Sequence, residues 1–200
     1  MVDRLRVVLA TANPDKAAEI VAVVGDWLVL EARPRDLPDV DETESTLEGN
    51  ARLKARALVA ATGLPALADD TGLEVAALGG APGVRAARFA GEEASYADNV
   101  AKLLRELAGR TDRTARFRTV IVLAFPDGRE VVAEGFVDGA IAEAVRGARG
   151  FGYDPVFVPA EGGGLTFAEM SADEKHALSH RGRALRALRD RIESEGLTSS

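Results

Sequence analysis

The chain has 200 residues, 46% hydrophobic and 28% charged, a balance that suits one soluble globular core and is short for two full domains. It contains no cysteine, which excludes disulfides and thiolate metal sites and fits a reducing, cytoplasmic setting. A net charge of -7 argues against broad attraction to nucleic acid or an anionic membrane, but a small anionic ligand needs only a local cationic pocket.

Met1 is followed closely by Asp3, Arg4 and Arg6, and neither a signal-type apolar region nor an apolar span of about 18 residues occurs. Arg4 to Ala10 reads as a strand that ends at Thr11. In TANPDK, Asn13 is a good N-cap and Pro14 suits the first helical position. Ala17, Ile20, Val21 and Val24 then recur at helical spacing, and Gly25 closes the helix. A strand, a tight turn and a helix N-terminus make an anion-binding geometry, because free N–H groups and the positive dipole end point the same way. Lys16 lies in the first turn, where the dipole disfavours a cation unless an anion sits above it; a solvated lysine is the plainer reading.

Trp27 to Ala32 reads as a second strand. The polar, proline-bearing stretch from Arg33 to Thr46, with its acidic run DVDETE, reads as a mobile loop. Thr46 is placed to cap a helix that runs to about Thr62 and stops at Gly63. Leu47, Ala51, Ala55 and Leu58 form its apolar stripe, flanked by Asn50 and Lys54 at i, i+4 spacing. The helix leads into LPALADDTGLEV, which reads as strand, acidic corner, strand. Asp69 and Asp70 there are costly beside a core unless something cationic meets them. A divalent metal held by carboxylates and substrate phosphates would do so; a plain Asp-Asp-Thr-Gly surface turn is the competing reading.

Gly79, Gly80, Pro82 and Gly83 make a loop of tight turns, with Arg85 and Arg88 beyond. Ser95 caps an amphipathic helix with Tyr96, Val100, Leu103, Leu104 and Leu107 on one face, ended by Gly109. From Arg116 to Phe125 the sequence alternates, with Phe117, Thr119, Ile121, Leu123 and Phe125 on one face. Pro126-Asp127-Gly128 turns it back into Glu130 to Ile141, so a mixed sheet is expected. RGARGFGYDPVFVP is a glycine-rich loop in which Phe151 and Tyr153 read as exposed aromatics suited to stacking on a base; an aromatic packed to pin the turn fits equally well. Ser171 and Glu174 form a capping box, and Lys175, His180 and Arg181 gather as a second cationic cluster where the last helix opens. Leu185, Leu188 and Ile192 are that helix's buried face. Leu197 to Ser200 reads as a frayed end.

TANPDK, Glu42 with NARLKA, ADDTGL, and FGYD followed by Lys175 and the Ser179-His180-Arg181 triplet stand in a fixed order. Together, with GGAPGVRAARFAG between them, they closely resemble the inosine triphosphate pyrophosphatase family, also described as dITP/XTP pyrophosphatases, from about Val7 to Leu188. The resemblance implies an α/β fold of two lobes with a long mixed sheet and a cleft, one domain over residues 1–200, a homodimer, and Mg²⁺ dependence. It implies hydrolysis of ITP, dITP and XTP at the α–β phosphoanhydride to a monophosphate and pyrophosphate. By residue, it implies that Asp70 is the catalytic carboxylate and a metal partner, with Glu42 as the other metal carboxylate and Asp69 in support. Thr11, Ala12, Asn13, Pro14, Asp15, Lys16 and Lys54 match the triphosphate contacts, and Thr71 stands where a serine is usual. Phe151, Gly152, Tyr153, Asp154, Lys175, His180 and Arg181 match the base and sugar contacts, with Arg181 and His180 as donors to the base's 6-carbonyl. Gly49 departs from the family's usual acidic residue and puts the start of the Asn50–Lys54 helix in question. Two other readings stay open: a regulatory module that binds a purine nucleotide without cleaving it, and a related pyrophosphatase for modified pyrimidine or methylated nucleotides.

Overall fold

The computed structural model describes residues 4–197. In chain order the elements are β1 (Leu5–Leu9), α1 (Pro14–Val24), β2 (Leu28–Glu31), α2 (Leu47–Thr62), β3 (Ala66–Val75), β4 (Pro82–Gly83), α3 (Tyr96–Glu106), β5 (Thr114–Ala124), β6 (Glu130–Ile141), β7 (Phe157–Pro159), α4 (Ala172–Leu178) and α5 (His180–Ser194). The strands form a mixed seven-stranded sheet in the order β2-β1-β3-β5-β6-β7, with β4 pairing on β3. β1 runs parallel to β2 and β3, while β3–β4 and β6–β7 are antiparallel. The parallel pairs follow from α1 and α2, which carry the chain back between successive strands. No helix among the described residues is long and apolar enough to cross a membrane.

The chain divides into two compact units. One comprises the chain up to Asp70, Thr119–Gly135 and the part from Arg181 onward; the other comprises Thr71–Arg118 and Phe136–His180. In the first unit, strand alternation sorts the core into two faces. Val7, Leu9, Leu67, Ile121 and Leu123 pack with Ile20 and Val24 of α1 and with Leu185, Leu188 and Ile192 of α5. Val8, Ala10, Ala66, Ala68, Val122 and Ala124 face the other way and pack with Ala51, Ala55 and Leu58 of α2. A layer covered on both faces explains why β5 alternates only at its start and is buried at every position from Thr119 to Ala124.

Local capping sets the helix ends. The Asn13 Oδ1 accepts from the N–H groups of Asp15 (2.9 Å) and Lys16 (3.2 Å), a cap worth about 1 kcal/mol. Gly25 ends α1 in the right-handed region (φ -62°), so it is no left-handed cap; a Cβ there would sit 2.9 Å from the Val21 carbonyl oxygen. Gly63, at φ 69°, is the left-handed stop of α2. Thr46 caps α2 through the Gly49 N–H at 3.0 Å. A Cβ at Gly49 would lie 2.7 Å from the Glu44 Cβ, so glycine makes room for the approaching acidic loop and the helix begins normally. That loop is clamped at its start, where Arg33 binds Asp39 and the carbonyls of Leu37 and Pro38.

In the second unit, Leu73, Val75, Phe117, Val137, Ile141 and Phe157 pack with Val100 and Leu103 of α3 and with Leu107 at its end. Ser95 and Asp98 form a capping box on α3, and Ser171 and Glu174 form another on α4. Tyr96 departs from its expected place on the buried face of α3: it is 41% exposed. At the C-terminal end, Leu197 donates to the Ile192 carbonyl and packs half-buried on the first unit's core, whereas the rest of the predicted frayed tail, like residues 1–3, lies outside the described residues.

Candidate active site

Ala66–Val75 is one continuous strand, so the acidic corner expected at a sheet end is absent. Asp69 and Asp70 stand in mid-strand, each only 4% exposed, which also removes the surface-turn reading. The Thr-Gly pair that suggested a turn is overridden by pairing and burial on both sides of the strand. Because consecutive strand residues point to opposite faces, the two carboxylates turn away from each other and meet separate partners.

Asp69 faces the α1 and α5 side. Its Oδ2 lies 3.5 Å from Lys16 Nζ and accepts from the Nε and Nη2 of Arg181, both at 3.2 Å. Arg181 also donates from Nη1 to Glu19, a residue the sequence reading passed over; its signal was the spacing Lys16-x-x-Glu19 on one helix face. Burial alone pushes the Asp69 carboxyl up, but Lys16, Arg181 and Lys54 together outweigh it and hold the group well below the usual carboxylate range. For Arg181, burial opposes the charge, and Asp69 and Glu19 overcome that and raise it.

Asp70 faces α2. Lys54 Nζ donates to its Oδ1 at 2.9 Å and to Glu42 Oε1 at 3.1 Å. Asn50 proves buried rather than flanking: its Nδ2 lies 3.4 Å from Asp70 Oδ2, and its Oδ1 accepts the Glu44 N–H at 2.9 Å. Burial, helped by repulsion from Glu42, pushes the Asp70 carboxyl up despite the Lys54 ammonium. Lys54 is pulled down by burial and up, more strongly, by Asp70, Asp69 and Glu42. On this side two carboxylates share one ammonium, leaving an excess of negative charge.

The TANPDK turn is largely self-satisfied. Thr11 Oγ1 accepts the Asn13 N–H at 3.1 Å, and the Asn13 cap takes the Asp15 and Lys16 N–H groups that were expected to point outward. Ala12 and Pro14 complete the turn, and the dipole end of α1 remains. A cavity of about 600 Å³ adjoins it, lined by Thr11, Ala12, Val21, Leu30, Arg33 and Leu37 among others. Its walls include neither β3 carboxylate.

The second unit holds the other candidates. Gly147, Gly150 and Gly152 adopt φ of 76°, 70° and 61°, which only glycine does without strain. A side chain at Gly150 would overlap the Asp154 carboxylate. Asp154 accepts the Phe151 N–H at 2.8 Å and pairs with Lys175. Tyr153 is not exposed as expected: it is 5% accessible, and its hydroxyl donates to the Ala86 carbonyl at 2.8 Å, pinning the loop. Phe151 is half-buried, with Lys175 Nζ 4.9 Å from its ring centre. His180 is buried and stacks on Phe117 at 4.5 Å. Thr71, half-buried, follows Asp70 directly. Of the expected second cationic cluster, Lys175 pairs with Asp154, His180 stacks on Phe117, and Arg181 binds Asp69 and Glu19. Arg85 and Arg88 lie 3.8 and 3.7 Å from Glu92.

The chain is 50% identical over 188 residues to a dITP/XTP pyrophosphatase of Caulobacter vibrioides, covering 92% of this chain and 96% of the relative. It is 50% identical over 193 residues to a dITP/XTP pyrophosphatase of Thermus thermophilus, covering 94% and 92% of the two chains. The structure of the Staphylococcus aureus Ham1 protein superposes with a TM-score of 0.84 at 40% identity, over 95% of this chain and 99% of that one. The model of the Ham1 family matches residues 7–191, the whole length over which the motifs run, and the chain belongs to that family.

Proposed function

We infer that this chain hydrolyses non-standard purine nucleoside triphosphates, namely ITP, dITP and XTP, to the monophosphate and pyrophosphate, and so cleanses the nucleotide pool. The observation that carries this reading is Asp70: a buried mid-strand carboxylate whose affinity for protons burial raises above its ordinary value, bonded to Lys54 and repelled by Glu42. Relatives at about half identity named dITP/XTP pyrophosphatase support the substrate class. A sensor that only bound nucleotide would need no proton acceptor of this kind.

In the reaction a water oxygen attacks the α-phosphorus, the bond from that phosphorus to the α–β bridging oxygen breaks, and pyrophosphate leaves with the bond's electrons. The attacking water's proton passes to Asp70, and its raised affinity for protons suits it as the acceptor. Lys16 and Lys54 offset the charge of the triphosphate, helped by the positive end of α1. Asp69 keeps Lys16 in place, and Arg181 with Glu19 keeps Asp69 ionised and oriented. Glu42 and Asp70 fit a divalent ion held by two carboxylates plus substrate phosphates, since their shared negative charge exceeds that of Lys54. Among the described residues no group of three or more His, Cys, Asp or Glu is placed to hold a metal ion. Mg²⁺ bound there would supply charge neutralisation at the phosphates; Asp69, expected to support the metal, faces the other side of β3 and is engaged by Lys16 and Arg181 instead. Chelation should abolish pyrophosphate release, and added Mg²⁺ should restore it.

Base recognition falls to the second unit. Phe151, Gly152 and Asp154 shape the loop, Tyr153 holds it from behind, and Lys175 and His180 supply donors for a 6-carbonyl. Arg181, with three of its donors on Asp69 and Glu19, acts on the carboxylate side instead. A site built to donate there rejects adenine's amino group strongly and guanine, which shares the carbonyl, weakly. We read residues 1–200 as one catalytic domain of two lobes that works as a cytoplasmic homodimer; light scattering tests the dimer. The deciding experiment measures product and kcat/KM for ITP, XTP, dITP, GTP and ATP. Phosphate in place of pyrophosphate as the first product would sink the assignment.

A further inference from the structure

We propose that Tyr96 is a positioning residue for substrate binding: it sets the ring of Phe151 against which the purine lies. The inference rests on the function proposed above and adds a residue to it. Tyr96 opens α3 immediately after its Ser95 cap. The capping box, in which Ser95 accepts the Asp98 N–H at 3.2 Å and Asp98 Oδ2 accepts the Ser95 N–H at 3.0 Å, holds the backbone there without help from the Tyr96 side chain. That side chain is 41% exposed, whereas Val100 and Leu103 of the same helix are buried. The tyrosine is thus spared from the core of α3.

Its ring centre lies 5.8 Å from that of Phe151, tilted by 40°. This is direct aromatic contact, within the range where tilted pairs attract. A base inserted between the two rings would need two stacking steps of about 3.4 Å each, more than the gap provides. The purine therefore does not lie between the two rings, and Tyr96 acts through Phe151. The rest of that ring's surroundings is equally fixed: the Phe151 N–H donates to Asp154, Asp154 pairs with Lys175, and Lys175 Nζ stands 4.9 Å from the ring centre. Backbone, cation and tyrosine hold one aromatic ring in one orientation. Removing Tyr96 frees Phe151 to rotate, and binding the base must then reorder it.

The test compares the parent with Tyr96→Ala, Tyr96→Phe, Phe151→Ala and the double variant, measuring kcat and KM for ITP and the affinity for IMP by calorimetry. Tyr96→Ala should raise KM about 3- to 10-fold, with kcat and melting temperature near the parent's. IMP affinity should weaken by the same factor. Tyr96→Phe should restore the parent values, because it is the ring that contacts Phe151. In the Phe151→Ala background, losing Tyr96 should add little. Unchanged KM in Tyr96→Ala, failure of Tyr96→Phe to restore it, or full additivity of the two alanines overturns the proposal while leaving the enzymatic reading intact. A parent that releases no pyrophosphate from ITP overturns both.

Discussion

Replacing Asp70 by Asn removes one charge and little else, since the amide keeps the shape. Turnover should fall by at least about 10²-fold, the lower end of what a proton acceptor contributes. Stability should move the other way. The folded Asp70 carboxyl is raised, so its ionised form is disfavoured in the fold at neutral pH. Asp70→Asn should therefore melt no lower than the metal-free parent, and a folded variant that retained a tenth of the activity would remove Asp70 from the chemistry. Arg181 gives the opposite pattern. Its guanidinium is 3% exposed and bridges Asp69 and Glu19, so Arg181→Ala leaves the buried Asp69 and the partly buried Glu19 short of a cation. Breaking such a pair costs about 3–5 kcal/mol, readable by denaturant unfolding. Because the lost contact is with Asp69, kcat/KM for ITP, XTP, GTP and ATP should drop by similar factors. A selective loss of ITP over ATP would return Arg181 to base reading.

At the scale of elements, the loop from Gly147 to Tyr153 is held by backbone shape as much as by side chains. Gly150→Ala forces a Cβ into the Asp154 carboxylate at a positive φ of 70°. Asp154 must then yield its grip on the Phe151 N–H and on Lys175. The variant should lose roughly 1 kcal/mol or more of stability and raise KM for purine triphosphates several-fold, with kcat less affected. Equal loss of kcat would mean the loop reaches the reacting phosphate. β3 shows a second way in which an element organises chemistry. A turn would have left two adjacent carboxylates repelling each other, whereas a strand sends Asp69 to α1 and α5 and Asp70 to α2. The same two residues thereby acquire opposite proton affinities, one held ionised and one poised to accept.

For the whole molecule, that opposition predicts an acid limb to stability. Asp69 has a folded pKa below its unfolded value of about 3.9, so its contribution is complete above that pH and is lost as pH falls toward the folded value. Metal-free protein should lose stability steadily below about pH 4, and Asp69→Asn, less stable at neutral pH, should show a flatter slope there in pH-dependent chemical denaturation. An unchanged slope would show that other carboxylates carry the acid response. Sequence alone determined where most of the helices begin and where the β5–β6 hairpin turns, because the forces that set these act over a few residues: Asn13-Pro14, Thr46 with the Gly63 stop, Ser95, Ser171 with Glu174, and the Pro126-Asp127-Gly128 turn are each local. It also identified the family and all but one of the charged residues around β3. What it misread were facts that depend on distant chain segments. The strand through Asp69-Asp70 is continuous because neighbouring strands and helices cover it, against the local preference of Thr-Gly for a turn. Tyr153 and Asn50 are inside because Ala86 and Asp70 receive them. Arg181 grips a carboxylate 112 residues away, and no spacing in the sequence encodes which of the nearby anions it takes; strand alternation and the packing of α1 and α5 on one face decided that.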